Sequence, residues 1–83
     1  MKIQLRYFAH LREALGVAEE SIETQAPDVA GVRAQLMARG GAYAEVLAPG
    51  RAVRCALNQQ LCAWETPLVP DAEVAFFPPV TGG

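Results

Sequence analysis

Few residues in this 83-residue chain have a type and spacing that could do chemistry. His10 is the sole histidine and stands at the start of an amphipathic segment, where a surface or capping role accounts for it. Cys55 and Cys62 fall on predicted strands. A zinc site needs more ligands than these two and a distant histidine can supply, so they read as structural thiols and no metal site is expected. The acids Glu13, Glu19, Glu20, Glu23, Asp71 and Glu73 are scattered and read as solvated faces; nothing sets two of them as an acid–base pair. No glycine-rich loop of the phosphate-cradling kind is present. What remains is the carboxylate of Gly83, at the end of Glu73-Val74-Ala75-Phe76-Phe77-Pro78-Pro79-Val80-Thr81-Gly82-Gly83. A carboxylate is inert until something makes it electrophilic. Joining it to AMP would do so, and the resulting mixed anhydride is open to attack by a sulfur nucleophile. The chain has no nucleotide site of its own, so the activating enzyme must be a partner.

The residues before that carboxylate suit such a task. Gly82 and Gly83 serve no turn, because nothing follows them; they make a slender, pliable end that fits a narrow channel. Pro78 and Pro79 have no N–H to give and stop strand pairing. Beyond Phe77 the remaining residues reach roughly 20 Å if extended. A thin tail fits a partner's buried active site, where excess water would hydrolyse the activated intermediate. Plain fraying of a terminus is the alternative.

Such a tail needs a rigid base, and the hydrophobic pattern predicts one. Residues 2–8 alternate, with Ile3, Leu5 and Tyr7 on one face and Lys2, Gln4, Arg6 and Phe8 on the other, as in a half-buried strand. Phe8 on that polar side is either an edge of the core or part of a contact surface. The stretch 10–15 predicts a short helix closed by Gly16 at the C′ position. Residues 19–24 predict a second strand with Ile22 inward, completing an embellished hairpin. Pro27-Asp28 opens the main helix, with Asp28 as its cap. Val29, Val32, Leu36 and Met37 share one stripe of it, and Arg33, Gln35 and Arg39 lie away from that stripe. Gly31 in the first turn is expected to cost about 1 kcal/mol relative to alanine. Gly40-Gly41 ends the helix, and residues 42–51 read as a linker with a turn at Pro49-Gly50. Residues 52–57 form a third strand with Val53, Cys55 and Leu57 on one face; Asn58-Gln59-Gln60 turns it into residues 61–64. Pro67 and Pro70 punctuate a loop anchored by Leu68 or Val69. The last strand, 73–77, places Val74 and Phe76 inward and Ala75 and Phe77 on the far face.

That order predicts an α+β fold, a mixed sheet packed over one main helix. The final strand is expected to run parallel to the first near the middle of the sheet, so that the tail leaves from a rigid strand. Residues 1–77 would be the domain and residues 78–83 a flexible Gly-Gly tail. An apolar fraction of 52% with 19% charged residues is globular, and rich enough in a small chain to leave apolar surface for a partner. The net charge of -2 offers no basic patch for nucleic acid. No apolar run approaches membrane-spanning length, and the N-terminus lacks the apolar block of a secretory signal. Two cysteines suit a reducing cytoplasm. With Lys2 the only lysine, the chain offers few amines for modification.

Three stretches together resemble the MoaD family, the small sulfur-carrying subunits of molybdopterin synthase. They are residues 73–83, then Tyr7-Phe8-Ala9 with Leu11-Arg12-Glu13-Ala14-Leu15-Gly16, and Ala56-Leu57-Asn58-Gln59. The resemblance runs over essentially the whole chain and implies a ubiquitin-like β-grasp fold. It also implies a cycle. An E1-like adenylyltransferase uses ATP to activate Gly83, and a sulfur donor system converts it to a thiocarboxylate. The tail then enters the large catalytic subunit, and sulfur passes to cyclic pyranopterin monophosphate, the precursor of molybdopterin. Two transfers build the dithiolene, so the carrier is recharged between rounds. The synthase of the family is a heterotetramer with a carrier at each end of a large-subunit dimer.

On these positions the resemblance implies a non-catalytic subunit that binds no cofactor stably. Gly83 would bear the sulfur, Gly82 would give the slender approach, and Pro78, Pro79, Val80 and Thr81 would form the arm. Phe77 and Phe8 would be apolar docking residues beside it, with core packing as the alternative for Phe77. Pro70-Asp71-Ala72 departs from the Asp-Gly-Asp turn common in the family, which is expected to alter the loop before the last strand. A sulfur carrier of the thiamine type shares the fold and the Gly-Gly end; a protein modifier joined to lysines and a plain β-grasp binding module are further alternatives.

Overall fold

A computed structural model describes residues 1–79. The expectations placed on Val80, Thr81, Gly82 and Gly83 lie outside the described residues. Strand β1 (Lys2–Tyr7) turns Ile3, Leu5 and Tyr7 into the core, as its alternation predicts. It runs antiparallel to β2 (Glu19–Glu23), with Ile3 opposite Ile22. Between them α1 (His10–Leu15) buries Leu11 and closes on Gly16, whose φ of 78° lets its N–H reach the Arg12 carbonyl. The residue that precedes α1 is Ala9, with φ 55° and ψ -134°. That is the first corner of a type II′ turn, a place usually given to glycine. The turn closes with Leu11 N–H donating to the Phe8 carbonyl at 3.2 Å.

Helix α2 (Val29–Met37) is capped as expected, Asp28 Oδ1 accepting from Gly31 N–H at 2.8 Å, and it buries Val29, Val32 and Leu36. Gly31 is a requirement of packing: a Cβ there would lie 2.8 Å from the Ala26 methyl carbon. The polar residues beside the stripe are not merely solvated. Arg33 Nε donates to the Leu47 carbonyl at 2.6 Å, and its guanidinium lies 4.3 Å from the centre of the Trp64 ring. Gln35 Nε2 donates to the Glu23 carbonyl at 3.0 Å, and Arg39 meets Glu20 at 2.9 Å. Helical periodicity identifies the buried stripe but says nothing of which loops close over its flanks.

The stretch expected as a linker at residues 42–51 is corrected. Gly40 and Gly41, at φ 76° and 55°, end α2 and lead directly into α3 (Gly41–Val46). Val46 and Leu47 are buried, and Tyr43 reaches back to Glu20 at 2.7 Å. Local pattern reads two glycines as a break; burial of the apolar residues beyond them makes a second helix favourable.

Strand β3 is shorter than expected, Arg54–Leu57, and β4 is Gln60–Cys62, so that Trp64 lies outside the sheet ladder. Asn58 and Gln59 both take positive φ, 50° and 69°, the signature of a two-residue type I′ hairpin. Asn58 also fastens the hairpin to the next strand: its N–H donates to the Glu73 carbonyl at 2.8 Å and its Oδ1 accepts from Glu73 N–H at 2.9 Å. In the preceding loop Leu68 is the anchor, buried, whereas Val69 is 46% exposed. The departure at Pro70-Asp71-Ala72 leaves a left-handed corner in place, with Asp71 at φ 62°. Strand β5 (Glu73–Phe77) lies parallel to β1 and antiparallel to β3, in the sheet order β2-β1-β5-β3-β4. Phe76 is fully buried at the centre, with ring centroids 6.2 Å from Tyr7 and 6.0 Å from Trp64. The result is a ubiquitin-like β-grasp: a mixed sheet with its apolar face covered by α2 and two short helices. No helix among the described residues is long and apolar enough to cross a membrane.

Candidate functional site

The titratable groups are placed as structure. Among the described residues no group of three or more His, Cys, Asp and Glu could hold a metal ion. His10 is exposed at the start of α1. The carboxylate drawn furthest into contacts is Glu20. Its Oε2 accepts from the hydroxyls of Tyr7 at 2.8 Å and Tyr43 at 2.7 Å, and its Oε1 meets Arg39 at 2.9 Å. Burial alone would raise its pKa, but the Tyr43, Tyr7 and Arg39 hydrogen bonds outweigh that and hold it below the usual carboxylate range. Burial and the Glu20 carboxylate push the Tyr7 hydroxyl well up, so it stays a neutral donor. A carboxylate with its lone pairs engaged on three elements is a tie between β2, β1 and the α2–α3 corner. Three side chains from different parts of the fold hold it in that place.

The other face of the sheet differs in kind. Alternation that sends Val74 and Phe76 into the core sends Ala75 and Phe77 outward, and Arg6 and Phe8 lie beside them. Across the sheet, Arg6 opposes Ala75, Ala75 opposes Ala56, and Ala56 opposes Leu61. Phe8 N–H donates to the Phe76 carbonyl at 3.2 Å, which extends the β1–β5 pairing past Tyr7 and brings Phe8 level with Phe77. The strained corner at Ala9 then turns the chain away, leaving the Phe8 ring 38% exposed. Phe8, Phe77, Ala75, Ala56 and Leu61 form the apolar floor of an open depression of about 650 Å³, rimmed by Arg6, Gln59 and Glu73.

Leu61 projects furthest, 61% exposed. Arg6 lies 5.3 Å from the centre of the Phe8 ring and 4.0 Å from Glu19. An apolar centre ringed by polar and charged residues has the anatomy of a protein docking surface. Its shallow, open shape does not suit a small substrate, which needs enclosure.

The structure therefore brings Phe8 and Phe77 together on one face, beside Pro78 and Pro79, which follow β5 outside any strand and are half-buried. Phe77 is half-buried on the outer side and is not part of the central core cluster. Val80, Thr81, Gly82 and Gly83 lie outside the described residues. Leu61, Ala56 and Arg6 are additions that sequence reasoning did not single out. The signal was present for Leu61: once Cys55 is inward its neighbour Ala56 faces out, and a hairpin that turns at Asn58-Gln59 sets Leu61 opposite Ala56 on that outer face. Reading it required the register.

A family model described as the ThiS family matches residues 5–83. A "Molybdopterin synthase sulfur carrier subunit" of Escherichia coli (strain K12) is 37% identical over 81 residues, 98% of this chain and 99% of that protein. Among solved structures, a putative molybdopterin converting factor, subunit 1, from Pyrococcus furiosus superposes with a TM-score of 0.80 at 26% identity, covering 96% of this chain and 99% of that one. The complex of subunits 1 and 2 of molybdopterin-converting factor from Helicobacter pylori gives a TM-score of 0.70 at 27% identity, with full coverage of both chains, 100% and 100%. With fold and sequence in agreement along the chain's length, this protein belongs to the ThiS family, as a β-grasp homologue of the MoaD- and ThiS-type sulfur carriers.

Proposed function

We propose that this chain is the sulfur-carrier subunit of a molybdopterin synthase. The observation that carries the reading is the full-length relation to a carrier subunit at 37% identity, and the group proposed to carry the sulfur is the Gly83 carboxylate. The carrier is not itself a catalyst. An E1-like adenylyltransferase joins Gly83 to AMP, releasing pyrophosphate from ATP. A sulfur nucleophile then displaces AMP and leaves a thiocarboxylate, with sulfur in place of one oxygen. Inside the large subunit that sulfur is delivered to cyclic pyranopterin monophosphate, and hydrolysis returns the carboxylate for another round.

The fold supports the reading by what it does for the arm. Strand β5 is paired on both sides, to β1 and β3, so the residue that precedes Pro78 is held by the centre of the sheet. Pro78 and Pro79, outside any strand, then end the ladder, and Val80, Thr81, Gly82 and Gly83 are the residues proposed to enter the partner's active site. The apolar face carrying Phe8, Phe77 and Leu61 lies beside the point of departure and docks on the large subunit. Docking there fixes one end of the arm and raises the effective concentration of its other end in the partner's active site. The Helicobacter pylori relative is found in complex with its subunit 2; for this chain we propose assembly with a large catalytic subunit into a heterotetramer.

Incubation with ATP, an E1-like adenylating enzyme and a sulfur donor should exchange one oxygen for one sulfur at Gly83, read by intact mass. No mass change under conditions that charge a control carrier would refute the carrier reading. Adding the large subunit and the pterin precursor should then yield dithiolene product. A chain that is charged but gives no product would instead be a carrier of the thiamine type.

A further inference from the structure

The two cysteines, which spacing alone reads as separate structural thiols, are directly opposite each other. In the β3–β4 ladder Cys55 pairs with Cys62, and their sulfurs lie 3.7 Å apart with both thiols free. The pair next to the hairpin turn, Leu57 with Gln60, is followed by Ala56 with Leu61 and then by the cysteines. In a two-residue hairpin the pair closing the turn exchanges backbone hydrogen bonds, and the two pair types alternate. The cysteines thus occupy a hydrogen-bonded pair, with Cα atoms about 5.5 Å apart. That lies inside the roughly 4.4–6.8 Å spanned by disulfides. Side-chain rotation can therefore bring the sulfurs to bonding distance without breaking the ladder.

We infer that Cys55 and Cys62 form a thiol–disulfide exchange site, which closes to an intramolecular disulfide against a low-molecular-weight disulfide and is reopened by a small dithiol. The two sulfurs have different parts. Cys55 is 1% exposed, and burial first, then the Cys62 thiol, push its own thiol up to about 12. Cys62 is half-buried on β4, the edge strand of the sheet among the described residues. Cys62 thiolate attacks the small disulfide, forming one mixed disulfide bond and expelling one small thiolate, which takes up a proton. Cys55 then loses its proton to solvent and attacks the Cys62 sulfur, expelling the second small thiol. Two protein thiols are oxidised and one small disulfide is reduced to two thiols, so atoms and electrons balance. Disulfides of this kind in a reducing compartment are transient and responsive. Its structural effect falls on β4, a strand of 3 residues that presents Leu61 and is otherwise held by one neighbour.

The full-length chain, reduced and freed of reductant, is incubated with oxidised glutathione, then alkylated and weighed intact. The expected product is a monomer lighter by two hydrogens, with no alkylatable thiol, and it returns to two alkylatable thiols with dithiothreitol. Amide exchange at Gln60–Cys62 should slow in the oxidised form. A final product that keeps glutathione, a disulfide-linked dimer, or two persistent thiols in folded protein would overturn the inference. Two variants checked for fold by circular dichroism test the order of attack. Cys55→Ala should stop at one glutathione on Cys62, and Cys62→Ala should leave Cys55 unmodified.

Discussion

Leu61→Ala tests the proposed docking role of the outer sheet face, because the Leu61 side chain projects from that face and adds little to the core. It is 61% exposed and lies outside the core cluster. Its backbone pairs with Ala56, and alanine keeps that pairing. The unfolding free energy should therefore change by no more than about 0.5 kcal/mol, the range of ordinary surface substitutions. Binding is different. Full burial of a leucine contributes about 1.5–3 kcal/mol, and the part exposed in the free chain is what a partner can still remove from water. Scaled to that exposed share, the loss is about 1–2 kcal/mol, or roughly fivefold to thirtyfold in Kd. Phe77→Ala should weaken the complex as well, but Phe77 is half-buried, so its effect mixes binding with stability. The assay is calorimetric titration of the large subunit with each variant, alongside urea unfolding of the free chains. If Leu61→Ala binds as tightly as the parent, the outer face is not the docking surface, and the arm alone must carry recognition. If it unfolds the domain, the placement of Leu61 outside the core is wrong.

Glu20→Gln removes the charge that holds Tyr7, Tyr43 and Arg39 together and should cost about 1–3 kcal/mol in urea unfolding at neutral pH, after discounting the half-exposed Arg39 pair. Because Glu20 is held below its usual pKa, its stabilisation is complete above the unfolded value of about 4.3 and fades as pH falls through the lower folded value. The gap between variant and parent should therefore narrow in acid; a constant gap would contradict the assignment. Gly31→Ala should destabilise by about 1–2 kcal/mol, although alanine is the better helix former, because its methyl would meet Ala26 at 2.8 Å. A rise in thermal midpoint would show that the approach is not so close. Asp71→Gly should stabilise by about 0.5–1 kcal/mol by relieving the left-handed corner at φ 62°, read by thermal unfolding with sulfur charging unchanged.

Much was legible from short-range pattern. Alternation over residues 2–8 and 73–77 placed Ile3, Leu5, Tyr7, Val74 and Phe76 inward, because strand geometry sends neighbours to opposite faces whatever lies beyond them. Asp28 and Gly16 marked helix ends through hydrogen bonds made within a few residues. The lack of any recognisable catalytic constellation pointed to Gly83, and residues 73–83, 7–16 and 56–59 pointed to the family. Tertiary structure decided what depends on partners far along the chain. Helix α3 exists because Val46 and Leu47 find the core, and Glu20 ceased to be a solvated acid because Tyr7, Tyr43 and Arg39 converge on it. Leu61 joined Phe8 and Phe77 on one face, and Cys62 came opposite Cys55, through the register of a hairpin. Register is a property of two strands at once: a one-residue slip exchanges the faces of every side chain, and no single segment contains the information that sets it.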